Sequence, residues 1–119
     1  MKIAIPQWQG RVSPVFDAAS SLLLVDIENG RQAGRVALKM NPEDPLSRAR
    51  RLAILGVDIL ICGAVSSALA AAIVSVDIEI LACTCGPIDG VLDAFLENRL
   101  SNSRFLMPGC SKRRRYFHD

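Results

Sequence analysis

Four cysteines, Cys62, Cys83, Cys85 and Cys110, are the residues of this 119-residue chain best suited to chemistry. Thiolates are soft donors that suit iron, copper(I) and metal–sulfur clusters. Cys83 and Cys85 stand one residue apart in LACTCGPIDG, where a hydrophobic run gives way to Gly-Pro. Cys62 precedes Gly63 and Ala64 in ILICGAVSS, and Cys110 closes MPGC. Glycine lets a backbone approach a bulky guest, so Gly63 and Gly86 are candidate cradle positions beside the thiols. Any one of these cysteines also has an ordinary reading as a small buried hydrophobe. The C-x-C pair at a strand end is less easily explained that way, although it is weaker than two spaced C-x-x-C motifs.

Other chemistries lack residues. The single histidine is His118, next to the end, so a Ser-His-Asp or Cys-His arrangement has no internal base. No P-loop and no G-x-G-x-x-G follows a strand. Ser13, Asp17, Ser66 and Ser67 read as helix caps and turn formers. A thiol-dependent reductase would need a thiolate of depressed pKa. The net charge of +2 is too mild for a nucleic-acid binder, and the basic excess is local to Lys112–Arg115, a solvated tail by composition.

The elements that must position the thiols follow from pattern. Lys2–Pro6 is a short strand that Pro6 ends, followed by a loop through Gly10, Arg11, Val12, Ser13 and Pro14. Ser21–Ile27 and Gln32–Leu38 are strands joined through Asn29-Gly30, which favours a type I′ turn. Asp44 caps a helix opened by Pro45, whose apolar face is Leu46, Ala49, Leu52 and Ala53, with Arg48, Arg50 and Arg51 pointing elsewhere. VDILICG and IEILAC are apolar on both faces, as central parallel strands are. Ser66–Ser75 is an Ala-rich helix. Ile88, Val91, Leu92, Phe95 and Leu96 form a stripe opposite Asp89, Asp93 and Glu97. Beyond Arg99 the pattern fades.

The order β-β-β-α-β-α-β-α predicts one α/β domain over residues 1–110, with a flexible basic tail over 111–119. A single mixed sheet covered by helices fits. With the first strand central, the loops at 6–14, 62–66 and 83–89 meet at a topological switch point, where ligands of open α/β sheets gather. Cys62-Gly63 and Cys85-Gly86 then look like equivalent strand-end turns, and Cys83 and Cys85 share a face if extended. The uncharged run Ile59–Val76 sits at the lower limit for a membrane span but is broken by Cys62-Gly63 and serines, so no membrane is expected. Without a signal-peptide pattern, the cytoplasm is the default compartment and the thiols stay reduced.

The segments MKIAIP, GRVSPVFDAASSLLLVDIENG, GVDILICGAVSSAL, CGPIDGVLDAFLENRL and FLMPGC together resemble the dinitrogenase iron–molybdenum cofactor biosynthesis family, over about residues 1 to 110. The resemblance implies a ribonuclease-H-like fold with a five-stranded mixed sheet. It also implies binding, carrying or scaffolding of an iron- or molybdenum-containing metal–sulfur cluster rather than catalysis, with cluster donor and recipient proteins as partners. The family's G-x-V-S-P-x-F-D segment falls at Gly10–Asp17, and its strand-end glycine loops at Cys62-Gly63 and Cys85-Gly86. Cys62, Cys83, Cys85 and Cys110 are the metal-donor candidates, and Gly10, Arg11, Val12, Ser13, Gly63, Ala64 and Gly86 the cradle. Some carriers use an internal histidine, which this chain lacks, so a cysteine-bound iron–sulfur cluster or anion-type capture fits better than the iron–molybdenum cofactor itself. The alternative is a protein-interaction or redox-sensing module without metal. A homodimer through the Ala-rich helix is a further expectation.

Overall fold

A computed structural model describes residues 1–100, 103–108 and the backbone of 116–117. Five strands form the body of one mixed sheet: β1 (Lys2–Trp8), β3 (Ser21–Glu28), β4 (Arg31–Lys39), β5 (Ile59–Ile61) and β6 (Glu79–Leu81). Their spatial order is β4-β3-β1-β5-β6. Two-residue strands add to it: β2 (Arg11–Val12) pairs with β1, and β7 (Tyr116–Phe117) pairs with β6. β1 runs antiparallel to β3 and parallel to β5, so it is the strand at which direction changes. Helices α1 (Pro45–Ile54), α2 (Ser67–Val74) and α3 (Ile88–Leu96) follow β4, β5 and β6.

Alternation along the strands builds two cores. Ala4, Leu22, Leu24, Leu60, Cys62 and Ile80 meet α1 and α2 through Ala49, Leu52, Leu69 and Ile73. Ile3, Ile5, Leu23, Val25, Ile61 and Leu81 meet α3 through Ile88, Val91 and Leu92. Burying an aliphatic side chain of this kind contributes about 1.5–3 kcal/mol, which is why both faces of β5 and β6 read as apolar.

Turn chemistry agrees with the sequence at Asn29-Gly30, where φ is 54° and 74°. A second hairpin of the same kind was not expected. Gln9 and Gly10 have φ of 50° and 76°, returning the chain so that Trp8 pairs with Arg11 and Gln7 with Val12. Pro6 therefore does not end β1. It pairs with Leu22, and its carbonyl accepts from Ser13 N–H at 2.8 Å. A strand residue points N and C=O to the same side, so the missing proline N–H falls on the flank that β5 has already left.

The face of α1 is rotated from the expected one. Arg48 is 2 % exposed beside Ala49 and Leu52, whereas Leu46 is 52 % exposed and Ala53 also faces solvent. Arg48 belongs inside because its guanidinium finds partners there. Nη1 donates to the Phe16 carbonyl at 2.7 Å and to that of Ala19 at 3.2 Å, and Nη2 to that of Asn41 at 2.9 Å. The guanidinium also lies 5.4 Å from the centroid of the Phe16 ring.

The chain beyond Arg99 is not patternless. Leu100 and Phe105 are buried in the α3-side core. Among the described residues, no helix is long and apolar enough to cross a membrane. The basic run Lys112–Arg115, His118 and Cys110 lie outside the described residues.

Candidate functional site

Loops leaving the carboxyl ends of β1, β5 and β6 meet at one rim, as a switch point requires. Backbone hydrogen bonds sew them together. Val12 N–H donates to the Gly86 carbonyl at 3.0 Å, and Ile88 N–H to that of Gly10 at 3.0 Å. Ala64 N–H donates to the Pro14 carbonyl, and Phe16 N–H returns a bond to the Ala64 carbonyl, each at 2.8 Å. Gly63 is required by close approach: a Cβ there would lie 2.6 Å from the Pro14 carbonyl oxygen and 2.7 Å from that of Ser13.

The proposed cradle residues thus come together, but they bind one another. The N–H groups of Val12, Ser13 and Ala64 are all donated within the protein. Arg11 is exposed and bridges to Pro87. Gly86 is positive in φ, at 126°. Asp17, the last residue of the G-x-V-S-P-x-F-D segment, reaches the start of α2. Its carboxylate accepts from Ser66 N–H at 2.8 Å and from Ser66 Oγ–H at 2.6 Å, while Ser66 Oγ accepts from Leu69 N–H at 3.2 Å.

The three described cysteines occupy three environments. Cys62 is fully buried in the core under α1 and α2. Burial pushes its thiol well above the ordinary range, and the neighbouring Cys83 and Asp17 add to this. Cys83 is half-buried and packs against the same core. Cys85 is half-buried on the other side, where its N–H donates to the Phe105 carbonyl at 2.9 Å and its Sγ–H to the Arg104 carbonyl at 3.7 Å. Among the described residues, no three His, Cys, Asp or Glu side chains are grouped to hold a metal ion.

Two expectations about the thiols change. The β5–β6 register pairs Ile61 with Leu81, so the next pairs are Cys62 beside Ala82 and Gly63 beside Cys83. The two Cys-Gly pairs are therefore not equivalent. Cys83 and Cys85 also do not share a face. Cys83 has a left-handed backbone, φ 59°, a conformation uncommon outside glycine that breaks strand alternation.

Segment 103–107 covers the β6 loop. Met107 N–H donates to the Cys83 carbonyl at 2.8 Å, and Thr84 bridges to Leu106. Periodicity passed over this strap, because Leu100 and Phe105 carry no helical or strand period, although the resemblance segment FLMPGC begins within it. It also passed over Trp8, 56 % exposed at the end of β1. Trp8 lines a groove of about 320 Å³ with Ser13, Pro14, Val15 and Ala18. The signal was available: it is the single tryptophan, placed directly before a turn.

The chain matches the family described as Dinitrogenase iron-molybdenum cofactor over residues 1–98. Among solved structures, it is similar to that of the protein PH0822, with TM-score 0.77, 22% identity, and 83% of this chain and 93% of that one covered. It is also similar to MJ0327 of Methanocaldococcus jannaschii, described as a candidate dinitrogenase, with TM-score 0.70, 21% identity and coverage of 83% and 90%. A third likeness is to TM1290 of Thermotoga, described as a candidate NifB protein, with TM-score 0.66, 20% identity and coverage of 82% and 89%. At these identities the likeness establishes the fold. No curated protein matches the chain significantly.

Proposed function

Because the chain belongs to the dinitrogenase iron–molybdenum cofactor family, we propose that it binds and carries an iron- or molybdenum-containing metal–sulfur cluster during cofactor assembly or transfer. The observation that carries this is the family match over residues 1–98, whose strand-end loops converge on one rim. We read the strand order β4-β3-β1-β5-β6 as ribonuclease-H-like. The cluster is cargo, received from one protein in the cytoplasm and handed to another.

The donor set favours loose capture over a cage. Cys62 is enclosed in the core, where burial raises its thiol pKa, so of the three described thiols it is the least open to a bulky guest at the rim. Cys85, half-buried beside the 103–107 strap, is the thiol best suited to touch the cargo, with Cys83 next. The exposed Arg11 suits an anionic sulfide cluster, and Trp8 and Val15 supply an apolar wall. Such a site holds its cargo weakly enough to release it.

Anaerobic incubation with iron and sulfide, followed by absorbance and metal analysis, tests this reading. Uptake that falls severalfold in Cys85→Ser supports it, and quenching of Trp8 fluorescence on uptake locates the cargo at the rim. No bound metal in the anaerobic wild type, or uptake unchanged in a Cys83→Ser/Cys85→Ser variant, sinks it.

A second reading, a partner-binding module without metal, draws on the outer face of α1. Leu46 and Ile54 are exposed there beside a groove of about 410 Å³ lined by Glu43, Ser47, Arg50, Arg51, Ile54 and Leu55. Retention of a stable complex by metal-free protein would favour it.

A further inference from the structure

Cys62 and Cys83 leave neighbouring parallel strands at the same rim, and the backbone holds them against each other. Cys83 N–H donates to the Gly63 carbonyl, and Thr84 N–H to the Cys62 carbonyl, each at 2.9 Å. A strand spacing of ~4.8 Å with a stagger of one residue puts their α-carbons on the order of 6 Å apart. That lies within the ~4.4–6.8 Å that a disulfide spans.

The side chains are brought to one side by the backbone irregularity. Ile80 and Ala82 face the α1–α2 core and Leu81 faces the α3 core, so simple alternation would send Cys83 toward α3. Its left-handed φ of 59° overrides that, and Cys83 packs against the cluster that encloses Cys62. The two thiols are close enough for Cys83 to raise the Cys62 pKa. They differ in access, since Cys62 is fully buried whereas Cys83 is half-buried. Cys85 is turned away, with its Sγ on the Arg104 carbonyl.

We propose that Cys62 and Cys83 form a reversible dithiol–disulfide pair, oxidised by small-molecule disulfides of the glutathione type. Cys83 reacts first because a reagent can reach it. Its thiol loses a proton, the thiolate attacks one sulfur of the small disulfide, that S–S bond breaks, and one small thiolate leaves. Cys62 then loses its proton and attacks Cys83 Sγ, expelling the second small thiolate. The protein loses two electrons and two protons. The small disulfide gains both and departs as two thiols. The new bond ties the β5 loop to the β6 loop and withdraws Cys83 from any cargo. Excess small thiol reverses every step.

The test is to treat the full, reduced chain with excess oxidised glutathione, block the remaining thiols, and map the linkages by mass spectrometry. Trypsin cannot separate the pair, because no Lys or Arg lies between Arg51 and Arg99, so cleavage is made at Asp77 and Glu79. The expected product is a Cys62–Cys83 link with the loss of two hydrogens. It should form equally in Cys85→Ser and Cys110→Ser, and be absent in Cys83→Ser. In Cys62→Ala, glutathione should stay on Cys83. Should Cys62→Ala not fold, the Cys83→Ser and Cys85→Ser maps decide alone. Glutathione persisting on wild-type Cys83, or predominance of a link through Cys85 or Cys110, overturns the proposal. Because the map reads sulfur connectivity without metal, its failure is distinct from failure of cluster uptake.

Discussion

Asp17 holds Ser66 by two hydrogen bonds across 49 residues of sequence, one carboxylate oxygen on the backbone N–H at 2.8 Å and the other on the hydroxyl at 2.6 Å. Ser66 in turn caps α2, its Oγ accepting from Leu69 N–H. The β1–β3 connection is thereby pinned to the first turn of α2. Asp17→Ala removes both bonds at a solvent-exposed position, so a loss of about 1 kcal/mol is expected in urea unfolding. Ser66→Ala removes the cap and one of the two bonds. Because the two side chains share a contact, the double variant should lose less than the sum of the single losses.

Arg48 is the buried counterpart of that link. Its guanidinium gathers the carbonyls of Phe16, Ala19 and Asn41, while Nε, 4.0 Å from the Glu43 carboxylate, makes no hydrogen bond among the described residues. Arg48→Met keeps the apolar stem but strands those carbonyls, and should cost about 3 kcal/mol in denaturant unfolding. Arg48→Lys has one ammonium where a planar fork reached three oxygens, so it should recover only part of this. A cost below about 1 kcal/mol for Arg48→Met would mean that the loop is held by its apolar contacts instead.

Much of the fold could be read in the sequence wherever a local signal and its tertiary setting agree. Asn29-Gly30 dictates its own turn, Asp44-Pro45 its own helix start, and the doubly apolar runs around Leu60 and Ile80 can only be central strands. The misread positions are those where a partner far along the chain decides. Arg48 looks like a surface cation until the carbonyls of Phe16 and Ala19 are brought beneath it. Pro6 looks like a strand end until the Gln9-Gly10 turn supplies a neighbour needing no proline N–H. Convergence of the rim loops was legible from topology. The fate of the thiols was not, because one left-handed residue, Cys83, separates it from Cys85, and a C-x-C pattern carries no record of φ.

The acid limb of stability offers a check on α1. Asp44 accepts from Ser47 N–H at 2.8 Å and from Ser47 Oγ–H at 3.0 Å, and these bonds hold its carboxyl below the usual carboxylate range. Folding therefore favours the ionised form. The contribution is fully present above the unfolded pKa and is lost as pH falls through the lower folded one. Wild type and Asp44→Ala should differ in urea midpoint at neutral pH, and that difference should shrink as pH falls below about 4. A gap that is constant from neutral pH to pH 2 would remove the charge from the capping argument.

Gly63 joins stability to the site. A methyl group there would meet two backbone carbonyl oxygens, those of Pro14 and Ser13, neither of which can swing away as a side chain tip could. Either the 13–14 loop or the β5 end must shift by several tenths of an ångström. Overpacking of this kind costs typically ~1–3 kcal/mol. The shift would strain the Ala64–Pro14 and Phe16–Ala64 hydrogen bonds that tie the rim together, and it would move Ser13, Pro14 and Val15 relative to Trp8. Gly63→Ala should therefore lower the urea midpoint and alter Trp8 emission in the folded state. It should also weaken metal–sulfur cluster uptake severalfold under conditions where the variant is still folded. By contrast, a Cβ at Gly34 meets nothing within 4 Å, so Gly34→Ala on the edge strand β4 should leave Trp8 emission and uptake unchanged. Equal effects from the two substitutions would show that the rim has no special dependence on this close approach.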